Sequence, residues 1–245
     1  MKYKMLLTFV MLFIIVIGDL LAAKVGILIV ATGKYDQFVG PLIASARKHF
    51  CTDQEVTYFV FSDGNIEEAS DVVGIHQKKM GWPYDTMMRN AIYHEHRDLF
   101  AAQDYLYAID ADMLFVDTVG TEIFGERVAT LHAWYIGRRG TYEIDQKSLA
   151  CVSQDEGEHY FAGGFFGGSN PEFLKIIAET TQRVRNDLSH GTIAIWHDES
   201  HWNRYCIDHP PTVILDPSYC HPESFDFGYS KKLIALDKNH NEVRS

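Results

Sequence analysis

Residues Val25 to Val30 form an uninterrupted apolar run, closed by Thr32, Gly33 and Lys34. A strand with one wet face alternates apolar and polar residues. A strand without alternation is covered on both faces, as in a parallel sheet between helices. The chain supplies the other parts of such a sheet. Residues 40–50 have helical spacing, "EVTYFVFSDG" reads as a second strand with an Asp-Gly turn, and "TMMRNAIYHEHRDLFAAQ" reads as a helix. "YLYAIDADMLFVD" is a third apolar strand, with acids near its end. Strand, helix, strand, helix, strand predicts an α/β fold with a mostly parallel central sheet flanked by helices. Ligands of such sheets bind at the carboxyl ends of the strands. Further on, "NPEFLKIIAETTQRVRNDL" predicts a long amphipathic helix, and a proline pair follows "HDESHWNRYCIDH". No linker, repeat or low-complexity tract divides residues 24–245, which reads as one domain.

The chain has 245 residues, 47% apolar and 13% aromatic, enough for a buried core and too many for a disordered segment. A net charge of -11 argues against a nucleic-acid partner, because nothing offsets phosphate charge overall. Four cysteines are scattered without a Cys-X-X-Cys pair, against a structural zinc site. The expectation is buried or free thiols, with Cys206 and Cys220 the pair available if the chain is exported.

The N-terminus opens with two lysines and an apolar run from Met5 to Gly18. This is short of the about 20 residues that span a bilayer. Residues 1–23 read as a signal peptide or a short signal anchor. Cleavage at "LLAA" predicts a secreted or periplasmic protein. Retention, with Leu20 to Ala23 extending the run, predicts a membrane anchor whose basic end is cytoplasmic.

Four constellations carry chemistry. Asp110-Ala111-Asp112 ends an apolar strand, where two neighbouring carboxylates repel unless a cation or solvent relieves them. A divalent cation such as Mg²⁺ or Mn²⁺ takes hard oxygen ligands and bridges to phosphates. "YFAGGFFGGS" is neither a Walker loop nor a dinucleotide fingerprint. Its glycines suit close passage to a ligand or a strand, or a tight hairpin packing Phe165 and Phe166 inward. "WHDESHWNRY" sets His197 and His201 four apart around Asp198 and Glu199. Its acids suit carbohydrate chemistry at an anomeric carbon, or the positive end of a helix. A zinc hydrolase fits poorly, since its glutamate directly follows the first histidine, where this chain has Asp198. The basic tail, with Lys238, His240 and Arg244, suits closure over a diphosphate or a free end.

Together these motifs resemble glycosyltransferase family 6, which includes the histo-blood-group A and B transferases and the α-1,3-galactosyltransferase. "HDESHWNRY" resembles the family's His-Asp-Glu-Ser-His-Leu-Asn-Lys-Tyr. "DEGEHYFAGGFFGGS" resembles its Asp-Glu-Gly-Asp-Phe-Tyr-Tyr block followed by Gly-Gly-Phe-Phe-Gly-Gly-Ser. "IDADMLF" is similar to its Asp-Val-Asp-Met strand end, "LHAWYIG" to its Leu-His-Pro-Gly-Phe-Tyr-Gly, and "KNHNEVRS" to its Lys-Asn-His-X-X-Val-Arg terminus.

The resemblance implies a GT-A fold and a retaining transfer of GalNAc or Gal from its UDP donor, forming an α-1,3 linkage. It implies that Asp110 and Asp112, flanking Ala111, hold Mn²⁺ and the diphosphate. Some bacterial relatives carry asparagines there and work without metal; this chain keeps both acids, so metal dependence is expected. Glu199 would be the catalytic carboxylate beneath the anomeric carbon, also touching the acceptor, and Asp198 would hold donor hydroxyls. Thr32 and Tyr35 would lie by the uridine, and Arg89 would contact the donor and the metal-site acids. His132 and Thr141 would face the acceptor, and Lys238 and Arg244 would clamp the pyrophosphate. Donor choice follows Ala162, Gly163 and Gly164, whose small size favours GalNAc. The family's Tyr-X-Trp-Asp has become "YCHPESF", which leaves the acceptor acid open, with Glu223 the candidate, and a fucosylated galactose acceptor a hypothesis. The lack of a long stem, unlike Golgi members, suggests a microbial relative. The competing class is an inactive, lectin-like sugar- or UDP-binding relative, against which the intact Asp110, Asp112 and Glu199 argue.

Overall fold

A computed structural model describes residues 22–244. The apolar segment from Met5 to Gly18 lies outside the described residues. Among those described, no helix is long and apolar enough to cross a membrane.

The opening run becomes strand β1 (Lys24–Val30), followed by a 3-10 turn (Gly33–Phe38) and helix α1 (Val39–His49). Strands β2 (Glu55–Ser62) and β3 (Val72–His76) come next. The segment expected as one helix is broken into α2 (Tyr84–Met87), α3 (Arg89–Glu95) and a 3-10 turn (Arg97–Phe100). Met88 and His96 sit at ψ 5° and 13° rather than in the helical well. Side chains also take over carbonyls there: His96 Nδ1 meets the Ile92 carbonyl at 3.0 Å, and Arg97 donates to that of His94 at 3.0 Å. Such local partners end a helix that periodicity alone would continue.

Strand β4 (Tyr105–Asp110) and the short β5 (Met113–Phe115) carry the acidic pair between them. Then come β6 (Val128–Leu131), β7 (Phe161–Ser169), the expected long helix α4 (Asn170–Ser189), and α5 (Asp198–Asp208). The chain closes with β8 (Val213–Leu215), β9 (His221–Pro222), β10 (Leu233–Ala235) and the turn α6 (His240–Val243). The main sheet has seven strands in the order β3-β2-β1-β4-β7-β6-β8, and β5-β10-β9 form a small second sheet. Pairs β3-β2, β2-β1, β1-β4 and β6-β8 are parallel, and only those of β7 are antiparallel. The sheet is thus mostly parallel, as the apolar runs require.

Both faces are covered. Val25, Ile27 and Ile29 of β1 join one core with α1, while Leu28 joins the other with Ile92 of α3, Ile176 of α4 and Trp202 of α5. The same division corrects the hairpin reading of "YFAGGFFGGS". The segment is one extended strand, and Phe165 and Phe166 point into opposite cores. The glycines divide by role. Gly167 and Gly168 are structural, since a Cβ on either would collide with the Leu106 or Glu126 carbonyl, and Gly168 has φ +151°. Gly163 and Gly164 face a different neighbourhood, at the carboxyl end of β4.

Candidate active site

The antiparallel insertion of β7 explains how distant motifs meet. Ile109 pairs with Phe165, so Gly164 falls beside Asp110. A Cβ on Gly164 would lie 3.4 Å from Asp110 Oδ2, 3.3 Å from Met113 Sδ and 2.9 Å from Cys220 Sγ. One on Gly163 would lie 3.3 Å from Glu199. Ala162, Gly163 and Gly164 are themselves buried.

Arg89, the first residue of α3, ties the acids together. It is buried, donates from Nη1 to Asp110 Oδ1 at 2.5 Å, and donates from Nη2 to the Gly163 carbonyl at 2.9 Å and to Asp198 Oδ2. Its guanidinium stacks 5.3 Å from the Phe166 ring centre. Burial pushes the Asp198 carboxyl up to about 6, with Arg89 pulling the other way. Arg89, though penalised by burial, is held firmly charged by Asp198 and Asp110.

Glu199 is the other carboxylate at the start of α5. Its Oε2 accepts the Gly163 amide at 2.7 Å and its Oε1 accepts the Tyr160 hydroxyl at 2.8 Å. Burial pushes its carboxyl up to about 7 against those two donors, and the charges of Asp198 and Asp110 add to the rise. One edge remains open, since Glu199 is only partly buried by its solvent exposure. The positive end of α5 helps both acids carry charge there.

The two histidines of the motif turn to separate partners instead of flanking the acids as a pair. His197 caps α5 at φ +53° and meets Trp82 edge-on at 4.9 Å. His201 is buried with Nε2 3.6 Å from Asp187 of α4, and burial lowers its pKa to about 4. Among the described residues, no group of three His, Cys, Asp or Glu side chains is placed to hold a metal unaided. The four cysteines are free thiols, and Cys206 and Cys220 are not paired.

A cavity at the ends of β1 and β4 is lined by Thr32, Tyr35, Arg89, Asp110, Ala111, Asp112, Lys238 and Arg244. All eight were singled out by sequence. Lys238 Nζ forms an ion pair with the buried Asp112, and Arg244 stacks 3.4 Å over Trp82. The tail is therefore folded onto the site. His132 and Thr141 stand on the Glu199 side. The His132 ring meets Tyr160 edge-on at 5.7 Å, and burial lowers its pKa to about 4, leaving it neutral at pH 7. Thr141 Oγ1 lies 2.8 Å from the Tyr135 hydroxyl and accepts Trp196 Nε1 at 2.8 Å.

The family model described as glycosyltransferase family 6 matches residues 18–245. The chain belongs to glycosyltransferase family 6. It is 36% identical over 239 residues to histo-blood group ABO system transferase 1 of Rattus norvegicus, covering 90% of this chain and 68% of the relative. It is 31% identical over 248 residues to globoside α-1,3-N-acetylgalactosaminyltransferase 1 of Gallus gallus, covering 90% and 69%. With α-1,3-galactosyltransferase 2 of Homo sapiens the identity is 27% over 210 residues, covering 80% and 62%. The chain is therefore a glycosyltransferase, and its seven-stranded sheet flanked by helices is the GT-A-like arrangement expected of family 6.

Several site residues of this family 6 enzyme escaped the sequence reading. Trp82, Asp85 and Thr86 line the cavity from the segment before α3. Tyr160 holds Glu199, and Cys220 backs Gly164. Glu143 accepts the Ile144 and Asp145 amides at 2.8 Å and the Ile195 amide at 2.6 Å, fastening the loop that leads into α5. Only Tyr160 carried a sequence signal, its place directly before the glycine-rich strand.

Proposed function

We propose that this enzyme is a retaining α-1,3-glycosyltransferase that moves GalNAc, or Gal, from its UDP donor to a galactoside acceptor. The observation that carries this reading is the arrangement of two carboxylate centres. Glu199 accepts the Gly163 amide, Arg89 donates to the Gly163 carbonyl from one nitrogen and to Asp110 from the other, and Asp112 follows two residues on in contact with Lys238. The first centre suits charge developing at an anomeric carbon, the second a diphosphate leaving group. The activities named for the three relatives agree with it.

In this reading Thr32 and Tyr35 hold the uridine end, and Arg89 and Asp198 orient the sugar. The C1–phosphate bond breaks and its electron pair leaves with UDP, while O3 of the acceptor bonds to C1 and gives its proton to the departing diphosphate oxygen. Lys238 and Arg244 neutralise that charge, so no side chain need donate a proton on the leaving side. Glu199, ionised, supports the sugar as nucleophile or charge stabiliser, and Tyr160 keeps it aimed. Backbone without Cβ atoms at Gly163 and Gly164 borders the sugar, which favours GalNAc. His132 and Thr141 meet the acceptor. Residues 1–23 act as signal peptide or anchor and bring the enzyme to the membrane or across it.

The donor set suits a hard divalent cation. Asp110 and Asp112 offer carboxylate oxygens beside the cavity, and the ammonium of Lys238 already marks Asp112 as a cation seat. Mn²⁺ held by these two acids would supply charge neutralisation to the diphosphate. Incubation of purified enzyme with UDP-GalNAc or UDP-Gal and a galactoside tests the reading. Transfer is expected with Mn²⁺, at least about 10-fold loss with chelator, and recovery on adding Mn²⁺ back. Transfer that ignores chelator would contradict the metal role of Asp110 and Asp112.

A further inference from the structure

Glu143 is a buried carboxylate that the reaction described above does not use. Its Oε1 accepts the amides of Ile144 and Asp145, both at 2.8 Å, and its Oε2 accepts the amide of Ile195 at 2.6 Å. Among the described residues, these three N–H groups hold its charge, and no basic side chain pairs with it. Burying a carboxylate is costly, and charge-assisted hydrogen bonds offset that cost. The side chain thus fixes the spacing of two segments whose bonded residues are 52 positions apart.

Each segment carries one half of a contact on the acceptor side. Thr141 lies two positions before Glu143, and Trp196 directly follows Ile195. Trp196 Nε1 donates to Thr141 Oγ1 at 2.8 Å. The backbone of Glu143 is itself anchored, since its carbonyl accepts the Val152 amide at 2.8 Å. The donor side has separate supports. Glu199 is held by the Gly163 amide and the Tyr160 hydroxyl, and Asp198 by Arg89. Cutting the link from Glu143 to Ile195 therefore loosens the acceptor side first.

We propose that Glu143 is a positioning residue for the acceptor. It keeps Thr141 and Trp196 together, so that a sugar hydroxyl rather than water meets the anomeric carbon. This rests on the transferase reading above. Glu143→Gln is the discriminating change, because the shape is kept while one accepting oxygen becomes an NH₂ donor. Three amides then compete for one oxygen. With that oxygen turned to Ile144 and Asp145, donor faces donor at Ile195, and the link between the segments is the one lost.

The test compares the wild type, Glu143→Gln and Leu42→Ala, a truncation in the buried face of α1. Amide hydrogen exchange, galactoside binding by saturation-transfer NMR and UDP binding by calorimetry accompany kinetics with UDP-GalNAc, a galactoside and Mn²⁺. In Glu143→Gln, exchange over residues 191–197 is expected to quicken by about 10-fold. The KM for galactoside and the ratio of donor hydrolysis to transfer should each rise by about 10-fold, with the UDP Kd within about 2-fold of the wild type. Leu42→Ala should melt lower without moving either acceptor measure. Faster exchange in Glu143→Gln with both acceptor measures unchanged would reduce Glu143 to scaffold and overturn the proposal. So would an equal weakening of UDP and galactoside, or an acceptor effect of the same size in Leu42→Ala. A wild type that binds galactoside without transfer, with binding weakened only in Glu143→Gln, would defeat the transferase reading and support the positioning role. A wild type that shows neither galactoside binding nor transfer would overturn both.

Discussion

Glu199→Gln is expected to lower transfer by about 10³-fold while raising the melting temperature. The loss follows from the charge: the amide cannot support positive charge at the anomeric carbon. The gain follows from the same burial. Burial holds the Glu199 carboxyl at about 7, above the usual glutamate range. The folded protein therefore binds a proton there more tightly than the unfolded chain, so stability falls as pH rises from about 4.5 to about 7. Above pH 7 the full cost of the buried charge remains. Glutamine abolishes it and keeps both contacts, its oxygen accepting the Gly163 amide and its nitrogen donating to the Tyr160 oxygen. The open edge of Glu199 screens part of the cost, which leaves about 1–3 kcal/mol at pH 8, or about 2–4 °C per kcal/mol. The stabilisation should vanish near pH 4.5. In the wild type, activity should rise with pH through about 7 as the carboxylate forms. Kinetics and thermal melts at pH 5 and pH 8 read both effects, and a variant that keeps turnover, or melts lower at pH 8, contradicts this role.

Arg89→Met should be the most damaging single change to the folded state. Arg89 holds Asp110, Asp198 and the Gly163 carbonyl at once, and Asp198 is almost fully buried. Removing the guanidinium leaves a buried carboxylate without its counter-charge, at a cost of about 3–5 kcal/mol. Asp198 then titrates higher still, because the one group lowering its pKa by charge is gone. Activity should disappear with it, since the sugar side and the diphosphate side of the site lose their common anchor. The double variant with Asp198→Asn should recover part of the stability and none of the activity. Denaturant titration checks this, and a midpoint for Arg89→Met equal to the wild type would remove Arg89 from the centre of the network.

Much of this architecture is legible in the chain because it is local. The unbroken apolar runs of β1 and β4 have the length and flanking turn residues of strands covered on both sides, and α4 buries Phe173, Ile176, Ile177, Thr180 and Val184 at helical spacing. Asp110, Asp112 and Glu199 are recognisable from their motifs. What stays hidden depends on long-range pairing. No local pattern tells that β7 enters between β4 and β6 as an antiparallel strand, because glycines and phenylalanines side by side suit a hairpin equally well. Without that register, Cys220 behind Gly164 cannot be foreseen. His201 looks like a site residue by spacing, yet its partner Asp187 lies on another helix and takes it into the core. The break at Met88 is equally silent in the hydrophobic pattern, although it is what makes Arg89 the first residue of its own helix.

The central claim is that one carboxylate, Glu199, supports a retaining transfer whose leaving group departs on the Asp110–Asp112 side. The configuration of the product tests it most directly. Proton NMR of the disaccharide formed from UDP-GalNAc and a galactoside, with Mn²⁺ present, should show an α-linked GalNAc at O3 of galactose. A β-linked product, or donor hydrolysis with no linkage formed, would contradict the account.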